Sequence, residues 1–405
     1  MNCVSYKFCM KKKKILVVQG SLQAGGAEKA TVSFLNTLPQ ERYEVDLMLS
    51  SRTGLLYKQV PEWVNIIDAP YPYNCLAHKP IDWRFYIKHS PFMWVKKVIR
   101  TYVAKHLSKL HVIQSLWKQW RDDIPVFDKE YDIAYGGQQG YTNYYVIDKV
   151  KAMNKILWIH NDYEKLKYVD DFDRPYFKQA SVVATMSPKA RDILQKHFPE
   201  SADHIWFLEN ITNGGMIRKM AMEDIDDKQF KLVEGVNLIS VGRLAPVKNF
   251  ERAIQAASIM KTQGLVFHWT IIGDGSLRNS LEALAKEMNV EDVLSFIGLR
   301  SNPYQYMRKS DMLVVTSNFE GRSIAIDEAQ VLGIPVITTN YPTAKDAVID
   351  GETGLICDMT PEAIASSIVR LYTDKVLYAH ICQSLEAKKD GNVQEIQKYF
   401  KAFGD

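Results

Sequence analysis

Cysteine is scarce, with five residues, Cys3, Cys9, Cys75, Cys357 and Cys382, scattered through a chain of 405. No CxxC or Cys/His spacing describes a metal site, and an odd count argues against a disulfide framework. A reducing cytoplasm is therefore the expected compartment. Long apolar runs are also missing, and none approaches the roughly 20 residues that a membrane-spanning helix needs. At the start of the chain the basic run Lys11–Lys14 follows the first apolar stretch. The ILVV that comes next is far shorter than the about 7–15 residues of a signal-peptide core. The opening residues therefore read as a ragged leader, and the lysines as the solvated lead into a first strand. Neither half contains GxGxxG, which disfavours a dinucleotide-dependent oxidoreductase. The net charge of +4 is unremarkable, and no nucleic-acid partner is expected.

What is present describes a soluble globular protein. The chain is 46% hydrophobic and 24% charged, and its length suits two domains of ordinary size. The charge is unevenly spread. Residues 79–121 hold ten Lys/Arg and one acid, Asp82, so 10 − 1 = +9 in that stretch. The same stretch holds four of the eight tryptophans, Trp83, Trp94, Trp117 and Trp120. Two readings stand. Cations mixed with aromatics suit an anionic membrane surface; alternatively, the stretch is a solvated helical pair with a tryptophan core.

Short apolar runs alternate with amphipathic stretches throughout. In the first half, KKILVVQG, YEVDLMLS, VNIIDAP, YDIAYGG, KILWIHN and SVVATMS read as strands, and AEKATVSFLNTL as a helix. The second half restarts the plan with VNLISVG, FHWTIIGDG, VLSFIG, DMLVVTS, IPVITTN and GLICD as strands. NFERAIQAASIMKTQ and SLRNSLEALAKEM are its helices. Such alternation predicts parallel, doubly wound sheets. The expected fold class is α/β, with two Rossmann-like domains facing across a cleft. The expected division is 11–208, 209–385 and a last helical stretch 386–405. A polar, weakly patterned linker begins near Glu209–Gly215.

Four motifs fall at strand ends, where ligands bind in open sheets. In GSLQAGGAEKA, Gly25 and Gly26 precede a helix; they allow close backbone approach to a phosphate, or simply form a tight turn. In SVGRLAPVKNF, Arg243 and Lys248 are a fork donor and a point charge that can face a diphosphate, or two surface cations. IIGDGSL is a glycine turn given a mainly structural role. In SNFEGRSIAIDEA, Glu320 and Glu328 have seven residues between them, and Gly321, Arg322 and Ser323 lead into a helix. For Glu320 helix capping is the bland alternative, and for Glu328 a solvated helix face.

The order and spacing of these motifs resemble the retaining glycosyltransferases of the GT-B fold, family 4. The resemblance covers nearly the whole chain and is strongest over residues 237–357. It rests on the E-x7-E pattern followed by GIPVI, on SVGRLAPVKN, IIGDGSL, SFIG and DGETGLI in order, and on GGAEK. KILWIHND places His160 where such enzymes carry a histidine. The resemblance implies a nucleotide-diphosphate sugar donor, uridine-linked by preference, and a lipid-linked or growing glycan acceptor. It implies that Arg243 and Lys248 neutralise the diphosphate, and that Glu320 with the Gly321–Ser323 backbone holds the sugar. Glu328 would hold the ribose, His160 would stand beside the transferred sugar, and Gly25 and Gly26 would close on the phosphates. No metal would be required, since the two cations take that part. After Glu-Gly many members carry a small or apolar residue; Arg322 departs from this, and its side chain is expected either to face an acidic or phosphorylated group or, by preference, to point to solvent.

DFD at Asp171–Asp173 has the form of a metal-binding triplet, but it reads as a loop before a helix rather than a strand end. Localisation is expected at the inner face of the cell membrane, with 79–121 as the contact. The alternative from another class is a non-catalytic nucleotide-sugar-binding or scaffold subunit. An epimerase or phosphorylase of the same fold is disfavoured by the E-x7-E pattern and by the chain length.

Overall fold

The structure is a computed structural model and describes residues 11–23, 25–77, 84 and 90–405. It divides into two compact units, 1–210 with 394–405, and 211–393.

Unit 1 is built on a seven-stranded sheet. Its strands are β1 (Lys13–Gln19), β2 (Tyr43–Leu49), β3 (Asn65–Asp68), β4 (Glu130–Gly136), β5 (Lys151–Ile159), β6 (Val182–Thr185) and β7 (Ile205–Phe207). The order is β3-β2-β1-β4-β5-β6-β7, and every neighbouring pair is parallel. Helices cover the faces, so the strands are near-continuous apolar runs; Ile15, Leu16, Val17 and Val18 are all fully buried. The run that forms β7 is too short to be read from the sequence.

The order reverses between β1 and β4. At such a switch point the loops after the two central strands diverge, and a crevice opens at their carboxyl ends.

The chain end belongs to this unit. Tyr399, on the helix Ile396–Ala402, stacks on Phe34 with centroids 5.4 Å apart, and Phe403 is fully buried. The Asp405 carboxylate accepts from Arg42 at 2.7 Å and also from Lys13 and Tyr43.

Unit 2 has six parallel strands in the order β10-β9-β8-β11-β12-β13. They are β8 (Val236–Val241), β9 (Phe267–Ile272), β10 (Leu294–Gly298), β11 (Met312–Val315), β12 (Val336–Thr339) and β13 (Gly354–Cys357). Its switch point lies between β8 and β11. Part of the weakly patterned linker, GGMIRKMA, is a helix (Gly214–Ala221). Asn213 caps it by accepting from Met216 N, and Ile217 and Ala221 are its buried stripe.

Part of the basic insert, 79–83 and 85–89, lies outside the described residues, Trp83 included. The remainder is two helices, Pro91–His106 and Val112–Trp120. Trp117 and Trp120 are core residues, and Trp117 Nε1 donates to Asp148 Oδ2 at 2.9 Å. Three cations of this segment, Lys96, Lys97 and Arg100, turn toward protein. Lys97 is buried beside Cys75, and burial lowers its ammonium to about 8. Lys96 and Arg100 pair with Asp123 at 2.7 and 2.5 Å, and the Arg100 guanidinium lies 4.6 Å from the Trp120 ring centroid. For Lys96 and Arg100 the physical reason is pairing: Asp123 and the indole face offer them partners that solvent does not.

Candidate functional site

In unit 2 the predicted residues converge on the switch point. The loop after β8 carries Arg243 and Lys248, and the loop after its neighbour β11 carries Glu320 to Ser323. Local hydrogen bonds fix the two loops to each other. Asn318 N donates to Val247 O at 2.8 Å, Thr316 Oγ1 to Lys248 O at 2.9 Å, and Arg252 to Thr316 O at 2.7 Å. Asn249 starts the following helix in a left-handed conformation, φ +47°, and its side chain accepts from Arg252 N.

The consequence is an ion pair. Lys248 Nζ donates to Glu320 Oε1 at 2.5 Å, and Ser317 Oγ donates to the same oxygen at 2.6 Å. The Glu320 side chain is only 10% exposed. Glu320 is thus a docked carboxylate and not a helix cap; Ser323 holds the N-cap position of the helix Ile324–Val331. Thr343 Oγ1 donates to Glu320 O at 2.7 Å and pins the backbone of this turn. Arg243 is exposed and makes no ion pair among the described residues, so its guanidinium is available to an incoming anion. A narrow recess at this point is lined by Ser240, Lys248, Thr316, Ser317 and Ser323, among others.

Glu328 is buried and not on a solvated face. It accepts from Tyr304 Oη at 2.8 Å, so its position is fixed by a neighbouring helix. Arg322 does not point freely to solvent: its Nε donates to Asp327 Oδ2 at 2.9 Å. A carboxylate five residues on, in the first turn of the helix, captures the guanidinium.

The glycine turn IIGDGSL supports this loop. A Cβ on Gly275 would lie 2.3 Å from Leu244 O, and Leu244 N donates to Asp274 O at 3.0 Å. The loops after β8 and β9 therefore pack backbone to backbone, which only glycine permits.

In unit 1, Gly25 is the N-cap of the helix Gly26–Thr37. A Cβ on Gly25 would lie 2.3 Å from Glu28 Oε2, so the carboxylate folds back over the glycine, and burial raises its pKa. His160 follows β5. Its ring stacks on Trp158 at 4.7 Å, and Nε2 lies 3.1 Å from Gly137 O. Burial lowers its pKa to about 4. A carbonyl can only accept, so the neutral ring carries its proton on Nε2 and leaves Nδ1 as an acceptor.

Sequence reasoning missed Gln19, Ser317 and Tyr304. Gln19 ends β1 at the unit 1 switch point, fully buried, with neither amide atom hydrogen-bonded. A glutamine closing an apolar strand was the available signal. The DFD triplet lies in the first turn of the helix Asp170–Gln179 and not on a loop. Its Asp173 carboxylate is taken up by Tyr144, Tyr163 and Gln114 at 2.7, 2.8 and 2.9 Å.

Residues 222–387 match the family described as glycosyl transferases group 1. A transferase of Campylobacter jejuni, N-acetylgalactosamine-N,N'-diacetylbacillosaminyl-diphospho-undecaprenol 4-alpha-N-acetylgalactosaminyltransferase, is 28% identical over 51% of this chain and 54% of its own. The capsular polysaccharide biosynthesis glycosyltransferase CapM of Staphylococcus aureus is 31% identical over 41% of this chain and 45% of its own. These alignments span about half the length of the curated relatives. Over nearly the whole chain the fold is that of HepE from Anabaena, solved with UDP and glucose: TM-score 0.67, 17% identity, covering 97% of this chain and 99% of that one. The fold is GT-B, and residues 222–387 are similar to the group 1 glycosyltransferases.

Proposed function

We propose that this protein is a retaining glycosyltransferase that moves a sugar from a uridine-diphosphate donor to a lipid-linked or growing glycan in bacterial surface polysaccharide assembly, without a metal. The carrying observation is the Lys248–Glu320 ion pair at the switch point of unit 2, with Arg243 exposed on the same loop as Lys248. Negative charge grows on the diphosphate as the glycosidic bond breaks. Arg243 and Lys248 stabilise it in place, without reorganising. Glu320, held by Lys248 and Ser317, accepts from hydroxyls of the sugar, and the Gly321–Ser323 backbone supports it. Glu328, held by Tyr304, accepts from the ribose. Arg322, held by Asp327, borders the sugar.

Within unit 1 the roles proposed are a hydrogen-bond acceptor for a sugar hydroxyl at Nδ1 of the neutral His160, and close backbone approach to phosphate at Gly25 and Gly26. In the retaining step the bond from the anomeric carbon to the phosphate oxygen breaks. The acceptor oxygen bonds that carbon on the same face, and its proton passes to the departing phosphate. Positioning and charge stabilisation supply the catalysis.

Names of similar proteins support the donor and acceptor: HepE binds UDP and glucose, and the Campylobacter transferase acts on a diphospho-undecaprenol. A lipid-linked acceptor places the enzyme at the inner face of the cell membrane, with 79–121 as the contact. A scaffold subunit is the lesser reading, because all four of Arg243, Lys248, Glu320 and Glu328 are present.

Calorimetric titration with UDP, GDP and ADP, with and without EDTA, tests this. UDP binding that survives EDTA is the expected result. No binding, or binding that EDTA abolishes, overturns the metal-free donor site.

A further inference from the structure

The helix Pro91–His106 is amphipathic in reverse. Three of its cations, Lys96, Lys97 and Arg100, turn toward the protein, while a row of its apolar side chains faces out. Phe92 is 71% exposed, Ile99 57% and Tyr102 59%, and Leu107 just beyond the helix is 70% exposed. At 3.6 residues per turn Phe92, Val95, Ile99 and Tyr102 fall on one stripe, with Val98 at its edge. Large exposed apolar residues elsewhere among the described residues are scattered singly. A contiguous stripe of this kind marks an interaction surface.

We propose that this helix seats unit 1 on an anionic lipid bilayer by burying its outward apolar stripe in the interface. The helix has sixteen residues, and no helix among the described residues is long and apolar enough to cross a membrane, so it lies in the plane. Charge selects lipid as the occupant. The helix itself contains no acid, and 79–121 carries +9. Exposed Lys105, Lys109 and Lys118 stand close by in the chain, free to meet headgroup phosphates. A second copy on the same stripe would bring the exposed Lys105, Lys109 and Lys118 of both copies together, which repulsion opposes. The inner cations act on the protein side instead. Through Asp123 and Trp120, Lys96 and Arg100 fasten the helix to unit 1, so that the apolar side is the one presented. Docking deepens the lipid-acceptor reading, on which it rests for its purpose, and vesicle binding tests it without donor or acceptor.

The full chain is co-sedimented with vesicles of phosphatidylglycerol and phosphatidylethanolamine. The wild type should bind. The triple variant Phe92→Ser, Ile99→Ser, Tyr102→Ser should lose about tenfold or more in partitioning, since each change removes exposed apolar surface. Ile99→Glu alone, at an outward position that needs no repacking, should do the same and keeps the test open if the triple variant misfolds. Absence of wild-type binding, or equal binding by the folded variants, overturns the proposal. So does a wild-type dimer in light scattering that the variants dissolve without any vesicle binding. Transfer to a water-soluble acceptor should be unchanged in these variants, so a failure to dock leaves the transferase reading standing.

Discussion

Replacing Lys248 with methionine separates the chemistry of the site from its packing. The Lys248 side chain is 21% exposed and that of its partner Glu320 10%, and they meet at 2.5 Å. Removing one member of a mostly buried pair strands the other, at a cost of about 3 kcal/mol at the low end for such pairs. For a unit of this size that lowers the melting temperature by roughly 2–4 °C per kcal/mol. If Lys248 also stabilises the departing diphosphate, transfer loses a further ~2–4 kcal/mol of barrier reduction, the range for a preorganised donor. That is roughly 30- to 900-fold in rate. The two effects divide in the double variant Lys248→Met, Glu320→Gln. No carboxylate is stranded there, so the melting temperature should return most of the way while transfer stays low. The assay is radiolabelled sugar transfer at a temperature where both variants are folded. Wild-type turnover in Lys248→Met would refute the role of the cation. Transfer that recovers together with the melting temperature in the double variant would also refute it, by showing that the pair only holds the loops.

Four further outcomes are expected. Tyr304→Phe removes a hydrogen bond to the buried Glu328 carboxylate, worth about 1.5–3 kcal/mol for a charged acceptor, and should lower both thermal stability and UDP affinity by calorimetry. His160 has a folded pKa depressed to about 4. The unfolded chain therefore binds a proton near pH 6.5 that the native state refuses until about 4. The His160 contribution to stability is thus present above about pH 6.5 and is lost as pH falls toward 4. His160→Phe should flatten that part of the melting profile, and an unchanged slope would contradict it. Phe403→Ala, at a fully buried ring, should cost about 3–5 kcal/mol in denaturant unfolding. Arg243→Ala should leave stability unchanged, because the side chain is exposed and forms no ion pair among the described residues, while weakening UDP binding in the same titration.

Local pattern made much of this molecule legible. The strands of both sheets announce themselves because both faces are covered, so each is an apolar run bounded by turn residues; only β7, with three residues, falls below that threshold. The Gly-Asp-Gly turn and the E-x7-E stretch were readable because backbone approach and helix starts leave short-range signatures. The helix Gly214–Ala221 was not, since its three buried positions, Gly214, Ile217 and Ala221, are too few to show a period.

The sequence by itself determined the α/β class, the strand–helix alternation and the identity of the residues that carry charge. Only the tertiary structure decided what each charge meets. Lys248 and Glu320 are 72 residues apart in the chain and share a bond because β8 and β11 are neighbours. Glu328 could have faced water but is buried against Tyr304, and Arg322 is held by Asp327. In the basic insert the composition was equally compatible with cations facing out or in. Asp123 and Trp120 drew them in, and the apolar side of the helix was left to the solvent. Burial and pairing depend on neighbours distant in sequence, and a periodicity read along one element does not contain them.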